Sequence, residues 1–196
     1  DANKGKAVPF IKGRQTVDFI FFIKDIVDNE LYVLGGKRGE NKQDFPGLYG
    51  LPGGAIELYE TAYQTAIRSL KEKTNLESQI IKNTFEPAVI KVNNVKSPIA
   101  FMKFIGLYST DDILYAGTNG GSSQCFATFL EDDIRKYQAV IKSSEELDQV
   151  DFYKVADFLE QKIAYQQKNM IMDALDLLNA YPLLNSDKKI MYKKKY

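Results

Sequence analysis

The chain has 196 residues, 44% of them apolar and 27% charged, which suits one well-cored domain, with or without an appendage, and leaves little room for two independent ones. Lys plus Arg and Asp plus Glu both number 26, so no overall field points to nucleic acid or to an acidic membrane, and any anion site must be local. With no histidine and one cysteine, Cys125, the sequence excludes Cys/His zinc sites, Ser-His-Asp triads and Cys-His pairs; acid–base chemistry is left to carboxylates, Lys, Tyr or bound metal.

After a basic lead, "TVDFIFFIKD" (16–25) is dense in β-branched and aromatic residues and predicts a buried strand. "NELYVLGGKR" (29–38) follows across the turn signal Asp28-Asn29 and predicts the second strand of a hairpin. The polar loop "GENKQDFPGLYGLPGG" (39–54) has the Gly and Pro density that lets a backbone turn and approach a ligand closely. Thr61 and Gln64 then form a capping-box pattern, and Tyr63, Ala66, Ile67 and Leu70 recur at helical spacing, predicting a helix over 62–74 with Asn75 as its left-handed end.

Beyond it, β-rich stretches occupy 78–92, 98–109 and 122–132, with the longest loop running from Thr110 to Gly121. A short strand at 149–155 leads into 156–180, where Ile163, Met170, Ile171, Ala174, Leu175 and Leu178 trace a helical stripe. Strands before and after a central helix, with a closing helix, predict an α/β (α+β) domain over 1–180 with helices flanking a mixed sheet. Residues 181–196 form a basic tail; its last eleven residues carry five lysines against one aspartate, best read as a solvated terminus.

No run of eighteen apolar residues occurs and the N-terminus lacks the apolar core of a signal peptide, which predicts a soluble, cytoplasmic protein with no membrane contact. The first residue is Asp1 rather than Met, so a removed leader stays open.

The stretch "GLPGGAIELYETAYQTAIRSLKEKTNL" (50–76) carries the chemistry. A loop ending in Gly53-Gly54 delivers the chain toward a helix N-terminus, where unpaired amides favour phosphate oxygens. Gly54 stands six residues before Glu60, Glu60 eight before Arg68, and Arg68 one helical turn before Glu72. This arrangement resembles the Nudix box of the Nudix hydrolase superfamily. Six of its nine specified positions match; "GLYGLPGG" resembles the usual approach with Tyr49 in the Trp position, and "LYVLGGKR" resembles the upstream strand ending in Arg or Lys, here Arg38.

The resemblance implies the Nudix fold, a mixed β-sheet sandwiched between α-helices. It also implies hydrolysis of a nucleoside diphosphate linked to another group, such as an ADP-ribose-like molecule, with Mg²⁺ or Mn²⁺ as cofactor. Carried over by position, Glu72 is a metal ligand, with Glu57 and the Gly53 carbonyl as its companions. Glu60 and Arg68 pair and join Glu72 as catalytic positions, and Gly53, Gly54, Lys73, Arg38 and Tyr49 are substrate-binding positions. Many members dimerise, so a homodimer is a further expectation, while nucleic acid is not an expected partner.

Two of the box acids are missing: Ser69 and Lys73 stand in their places. Positions 69, 72 and 73 share one helix face, so three negative charges become zero, minus one and plus one. Unit charges 4 Å apart in a partly screened site interact by about 4 kcal/mol, so each lost or reversed charge weakens a divalent ion by several powers of ten. Two readings stay open. One is a hydrolase with a degraded site, either reduced to Glu72 with Glu57 or Glu60 while Lys73 turns outward, or with its shell completed by a later carboxylate among Asp111, Asp112, Glu131, Asp132, Glu145 and Glu146. The other is a non-catalytic module for nucleotide, RNA or protein, in which Lys73 takes the phosphate contact and no metal is needed.

Overall fold

The computed structural model describes residues 14–42, 45–82, 88–95, 99–109 and 121–180. The loop 110–120, with Asp111 and Asp112, and the tail 181–196 lie outside the described residues, as does Phe10, an aromatic of the basic lead.

Among the described residues, nine strands form one mixed sheet. Its spine is β1 (Arg14–Asp25) beside β8 (Gly121–Asp132), parallel and in continuous register from Arg14↔Gly121 to Asp25↔Asp132. On one side of β1 lies β2 (Leu31–Arg38), which pairs with the two-residue β3 (Tyr49–Gly50) and with β9 (Leu147–Lys154). The short β4 (Gly53–Ala55) pairs with the start of β1. Beyond β8 come β7 (Ile99–Ser109), β6 (Ala88–Val92) and β5 (Ser78–Lys82), all antiparallel.

The period-2 alternation of β1 divides the core. Val17, Phe19, Phe21 and Ile23 point to one face, where Ala66 and Leu70 of helix α1 (Ala62–Thr74) and Tyr137 of α2 (Arg135–Gln138) cover them. Ile20 and Phe22 point to the other, under α3 (Val155–Leu159) and α4 (Gln167–Ala180). Continuous apolar character in β1 is what a strand buried on both faces requires. The sandwich of mixed sheet between helices expected from the sequence is the architecture observed.

Two local expectations change. The stripe over 156–180 is two helices, because the segment between α3 and α4 is pulled onto β3: the Tyr49 amide donates to the Lys162 carbonyl at 2.9 Å and the Ala164 amide to the Tyr49 carbonyl at 2.8 Å. Tyr165 then takes a left-handed turn, φ 52°, that a helix would not permit, so Ile163 belongs to a bridge rather than to the stripe. Within the loop 39–54, the pairs formed by 49–50 and 53–55 are strands too short to leave a periodic signal.

Candidate functional site

Helix α1 starts where the sequence says it should. The Gln64 amide donates to Thr61 Oγ1 at 3.2 Å and the Thr61 amide to Gln64 Oε1 at 2.8 Å, the reciprocal pair that satisfies two otherwise orphan donors. Asn75 ends the helix with φ 62°, its amide donating to the Lys71 carbonyl, and its side chain donates to the Val140 carbonyl at 2.7 Å.

Ahead of the helix, β4 runs so close to β1 that a Cβ on Gly53 would lie 2.6 Å from the Val17 carbonyl oxygen; no larger residue fits. A Cβ on Gly54 would lie 2.7 Å from Ser69 Oγ, which would have to turn aside. Ser69 is fully buried, and its hydroxyl has no hydrogen-bond partner. The box position that would carry an acid is thus a hydroxyl turned inward under the glycine loop.

Arg68 gathers the acids. Its Nε and Nη2 donate to the two Glu60 oxygens, each at 2.8 Å, and Nη2 also donates to the Ala55 carbonyl at 2.8 Å. Glu60 in turn accepts from Thr65 Oγ1 at 2.7 Å. These donors, Arg68 first, hold the Glu60 carboxyl at about 2, against partial burial that pushes the other way. Nη1 of the same guanidinium donates to Glu72 Oε2 at 3.0 Å and lies 3.5 Å from Glu57 Oε1. Three carboxylates therefore surround one cation, a local balance of minus two.

One turn further, Lys73 bonds Glu146. The lysine side chain is only 14% exposed, whereas that of Glu146 is 57% exposed, and the Lys73 ammonium draws the Glu146 carboxyl below its ordinary range. Glu146 is delivered by a turn tied at both ends. The Lys142 amide donates to the Thr74 carbonyl at 3.0 Å, and Ser144 and Leu147 exchange bonds of 3.0 and 3.2 Å.

The remaining predicted positions stand elsewhere. Arg38 lies at the end of β2, opposite Leu147 in the β9 register, with its guanidinium carbon 5.4 Å from the Tyr165 ring centroid; that ring also meets Phe45 at 4.6 Å. Tyr49 packs edge-on against Tyr153 and Phe158, on the α3 side of the sheet rather than with the Arg68 group. Of the later carboxylates, Glu131 faces Lys24 at 3.9 Å, Asp132 accepts from Lys136 at 2.5 Å and from Tyr137 at 3.0 Å, and Glu145 is exposed.

Sequence reasoning passed over Asp18, which is buried beneath Gly53. Its oxygens accept from Ser123 Oγ and Gln167 Nε2, each at 2.5 Å, and Gln167 Oε1 accepts from the Leu51 amide at 3.0 Å. Burial pushes the Asp18 carboxyl up, opposed by those donors and by Arg38. An aspartate inside a strand of aromatic residues was the available signal.

A divalent cation needs several oxygens turned toward one point. Here Glu57 and Glu72 point at Arg68, Ser69 points at Gly54, and the fourth position is a lysine already paired. Among the described residues no group of three or more His, Cys, Asp or Glu side chains is arranged to hold a metal ion. The residues as they stand do not fit the Mg²⁺ or Mn²⁺ site that the resemblance implies.

No described helix is long and apolar enough to cross a membrane. The family model of the NUDIX domain matches residues 22–174. Among solved structures, the chain is similar to the NUDIX domain of Shewanella oneidensis NrtR complexed with ADP ribose, at 21% identity and TM-score 0.59 over 85% of this chain and 88% of that one. A MutT/nudix family protein from Enterococcus faecalis gives TM-score 0.62 at 13% identity, over 88% of this chain and 66% of that one. A bifunctional NMN adenylyltransferase/ADP ribose pyrophosphatase from Francisella tularensis, complexed with AMP and an Mn ion, gives TM-score 0.55 at 17% identity. The match spans 86% of this chain and 42% of that protein. No curated protein matches. The glycine loop, the Arg68 hub, the sheet sandwich and the family match over most of the length lead to one conclusion: the chain belongs to the Nudix family.

Proposed function

We propose that this Nudix domain binds a nucleoside diphosphate joined to a second group, an ADP-ribose-like ligand, without a metal ion and without hydrolysing it. The observation that carries the reading is the face of α1. Where the box calls for three carboxylates, it presents a buried hydroxyl, a glutamate held by Arg68 and a lysine. A lysine ammonium supplies the counter-charge for phosphate that a metal would otherwise supply, as a mobile point charge. Lys73 is the binding residue in this reading, Gly53 and Gly54 let the ligand approach the backbone, and Glu60 and Arg68 keep the loop in shape. The nucleotide class draws support from the ADP ribose held by the Shewanella NUDIX domain.

Hydrolysis is the second reading, favoured by one observation: the Glu57 and Glu72 side chains are 68% and 48% exposed, so water reaches both. Calorimetry of ADP-ribose binding in EDTA and in Mn²⁺, with assay of released AMP, separates the two. Equal affinity in both buffers and no AMP is the expected result. AMP formed only with Mn²⁺ and abolished by Glu72→Gln would overturn the proposal and establish a hydrolase.

A further inference from the structure

We propose that the turn ahead of α1 is a docking knob for the lysine-rich segment 188–195 of a second copy of this chain. Leu58 and Tyr59 form its apolar tip, and Glu57 and Glu72 its charged flanks. The proposal does not depend on what the glycine loop binds.

Leu58 is 82% exposed and Tyr59 95%, more than any other large apolar side chain among the described residues. A single exposed apolar residue is ordinary, but two in succession on a fixed turn form a contact surface. Tyr59 has φ 67°, a left-handed backbone that costs a residue with a side chain energy, and at that exposure its ring returns almost no packing within the chain. The turn around it is tied down. The Ile56 amide donates to the Gln15 carbonyl at 3.0 Å, the Glu60 amide to the Glu57 carbonyl at 3.1 Å and the Glu57 amide to Glu60 Oε2 at 3.3 Å, while Arg68 holds the Ala55 carbonyl. A partner meeting this tip has no backbone to order, so contact there is not offset by loop entropy.

Charge selects the partner. Glu60 takes two of the Arg68 bonds, which leaves the solvent-facing Glu57 and Glu72 to share Nη1. The lysines of the same helix do not answer them, since Lys71 pairs with Glu77 and Lys73 with Glu146. A basic segment with an apolar centre complements that surface, and the chain carries one. In 188–195 two lysines and three lysines bracket Ile190, Met191 and Tyr192, as Glu57 and Glu72 flank Leu58 and Tyr59. Exposed ion pairs are weak singly, so the apolar tip is what makes the contact selective.

The two layers of the fold assign the segment to a second copy. Helices α1 and α4 cover opposite faces of the sheet, so the chain beyond Ala180 departs from the layer opposite the knob, and another molecule meets it without crossing the sheet. Two copies that exchange segments make the contact twice, and the second forms at the high local concentration set by the first.

A carbodiimide, which joins a glutamate carboxylate to a lysine amine as an amide, tests this on the full chain in a mixture of unlabelled and ¹⁵N-labelled protein. Links from the lysines of 188–195 to Glu57 or Glu72, in peptide pairs of mixed label, are expected. Leu58→Ser combined with Tyr59→Ser should lower their yield about fivefold. The link between Lys71 and Glu77, whose charged atoms lie 3.2 Å apart, should stay unchanged and so report that the variant is folded. A synthetic peptide of residues 186–196 should compete the links away, and the same peptide with Ile190→Ser, Met191→Ser and Tyr192→Ser about fivefold less well. Mixed-label links to the exposed Glu145 and Glu160 in equal yield, or equal competition by the two peptides, would reduce the contact to unselective charge and overturn the knob. Unchanged yield in the double variant would do the same. Links of unmixed label alone would place the segment on its own chain and overturn the exchange between copies.

Discussion

Arg68 meets three glutamates, yet they are not equivalent to it. Glu60 takes two short bonds and a third from Thr65, while Glu57 and Glu72 stand at the solvent edge. Glu60→Gln leaves the guanidinium short of its half-buried counter-charge and should cost about 1–3 kcal/mol at pH 7. The sign with pH follows from the depressed carboxyl. Its ordinary value is 4.5 and its folded value about 2, so its contribution is complete above 4.5 and lost as pH falls toward 2. Urea titrations of wild type and variant should converge in that window; a constant gap down to pH 2 would show that Glu60 acts through packing rather than charge. The contact between Glu60 and Arg68 is legible in the spacing of residues 60 and 68, because a helix and the loop before it are local. The partner of Lys73 is not. Glu145 and Glu146 stand side by side among several later acids, and which of them reaches the helix is fixed by the β2–β9 register, which no local pattern encodes.

At the scale of elements, α1 is the best specified part of the chain because caps, periodicity and length agree, and its observed limits, 62–74, are those the sequence predicts. The closing helix was overestimated for the converse reason. Ile163 keeps the apolar spacing of α4, but two backbone hydrogen bonds to β3 override the local pattern. The two ends of α1 make different predictions. Thr61→Ala removes one half of the capping box and should cost about 1 kcal/mol in melting or urea experiments. Glycine is normally the better residue at a left-handed helix end, yet Asn75→Gly should destabilise. Asn75 spends its side chain on the Val140 carbonyl, and that bond ties α1 to the segment carrying Glu146. A gain in stability from Asn75→Gly would mean that this tie contributes nothing. Midway along the helix, Ser69→Ala should be neutral or stabilising by about 1 kcal/mol, since it deletes a buried hydroxyl without a partner.

On the scale of the whole molecule, the glycine loop is tied through the sheet to the opposite layer. Ser123 of β8 and Gln167 of α4 both donate to Asp18 of β1, and Gln167 passes the connection to the Leu51 amide just before Gly53. Four separated pieces of sequence meet there, which is why the strand pattern of β1 disclosed an odd aspartate but not its purpose. Burial raises the Asp18 carboxyl above its ordinary 3.8, so the native state holds that proton more tightly than the unfolded chain. The contribution is present below pH 3.8 and declines as pH rises through the raised folded value. Asp18→Asn, which keeps the shape and removes the charge, should flatten that decline and leave the protein at least as stable as wild type at neutral pH. Gln167→Leu should do the opposite, costing about 1–3 kcal/mol by leaving a buried carboxyl group and a backbone amide each short of a partner. It should also weaken ADP-ribose binding from the far side of the sheet, because the Leu51 anchor of the loop is lost. Both are read from urea unfolding between pH 3 and 7, with calorimetry of ADP-ribose at the upper limit. A loss of stability in Asp18→Asn at pH 7 would mean that Arg38 and the two donors outweigh burial in setting the charge of this junction.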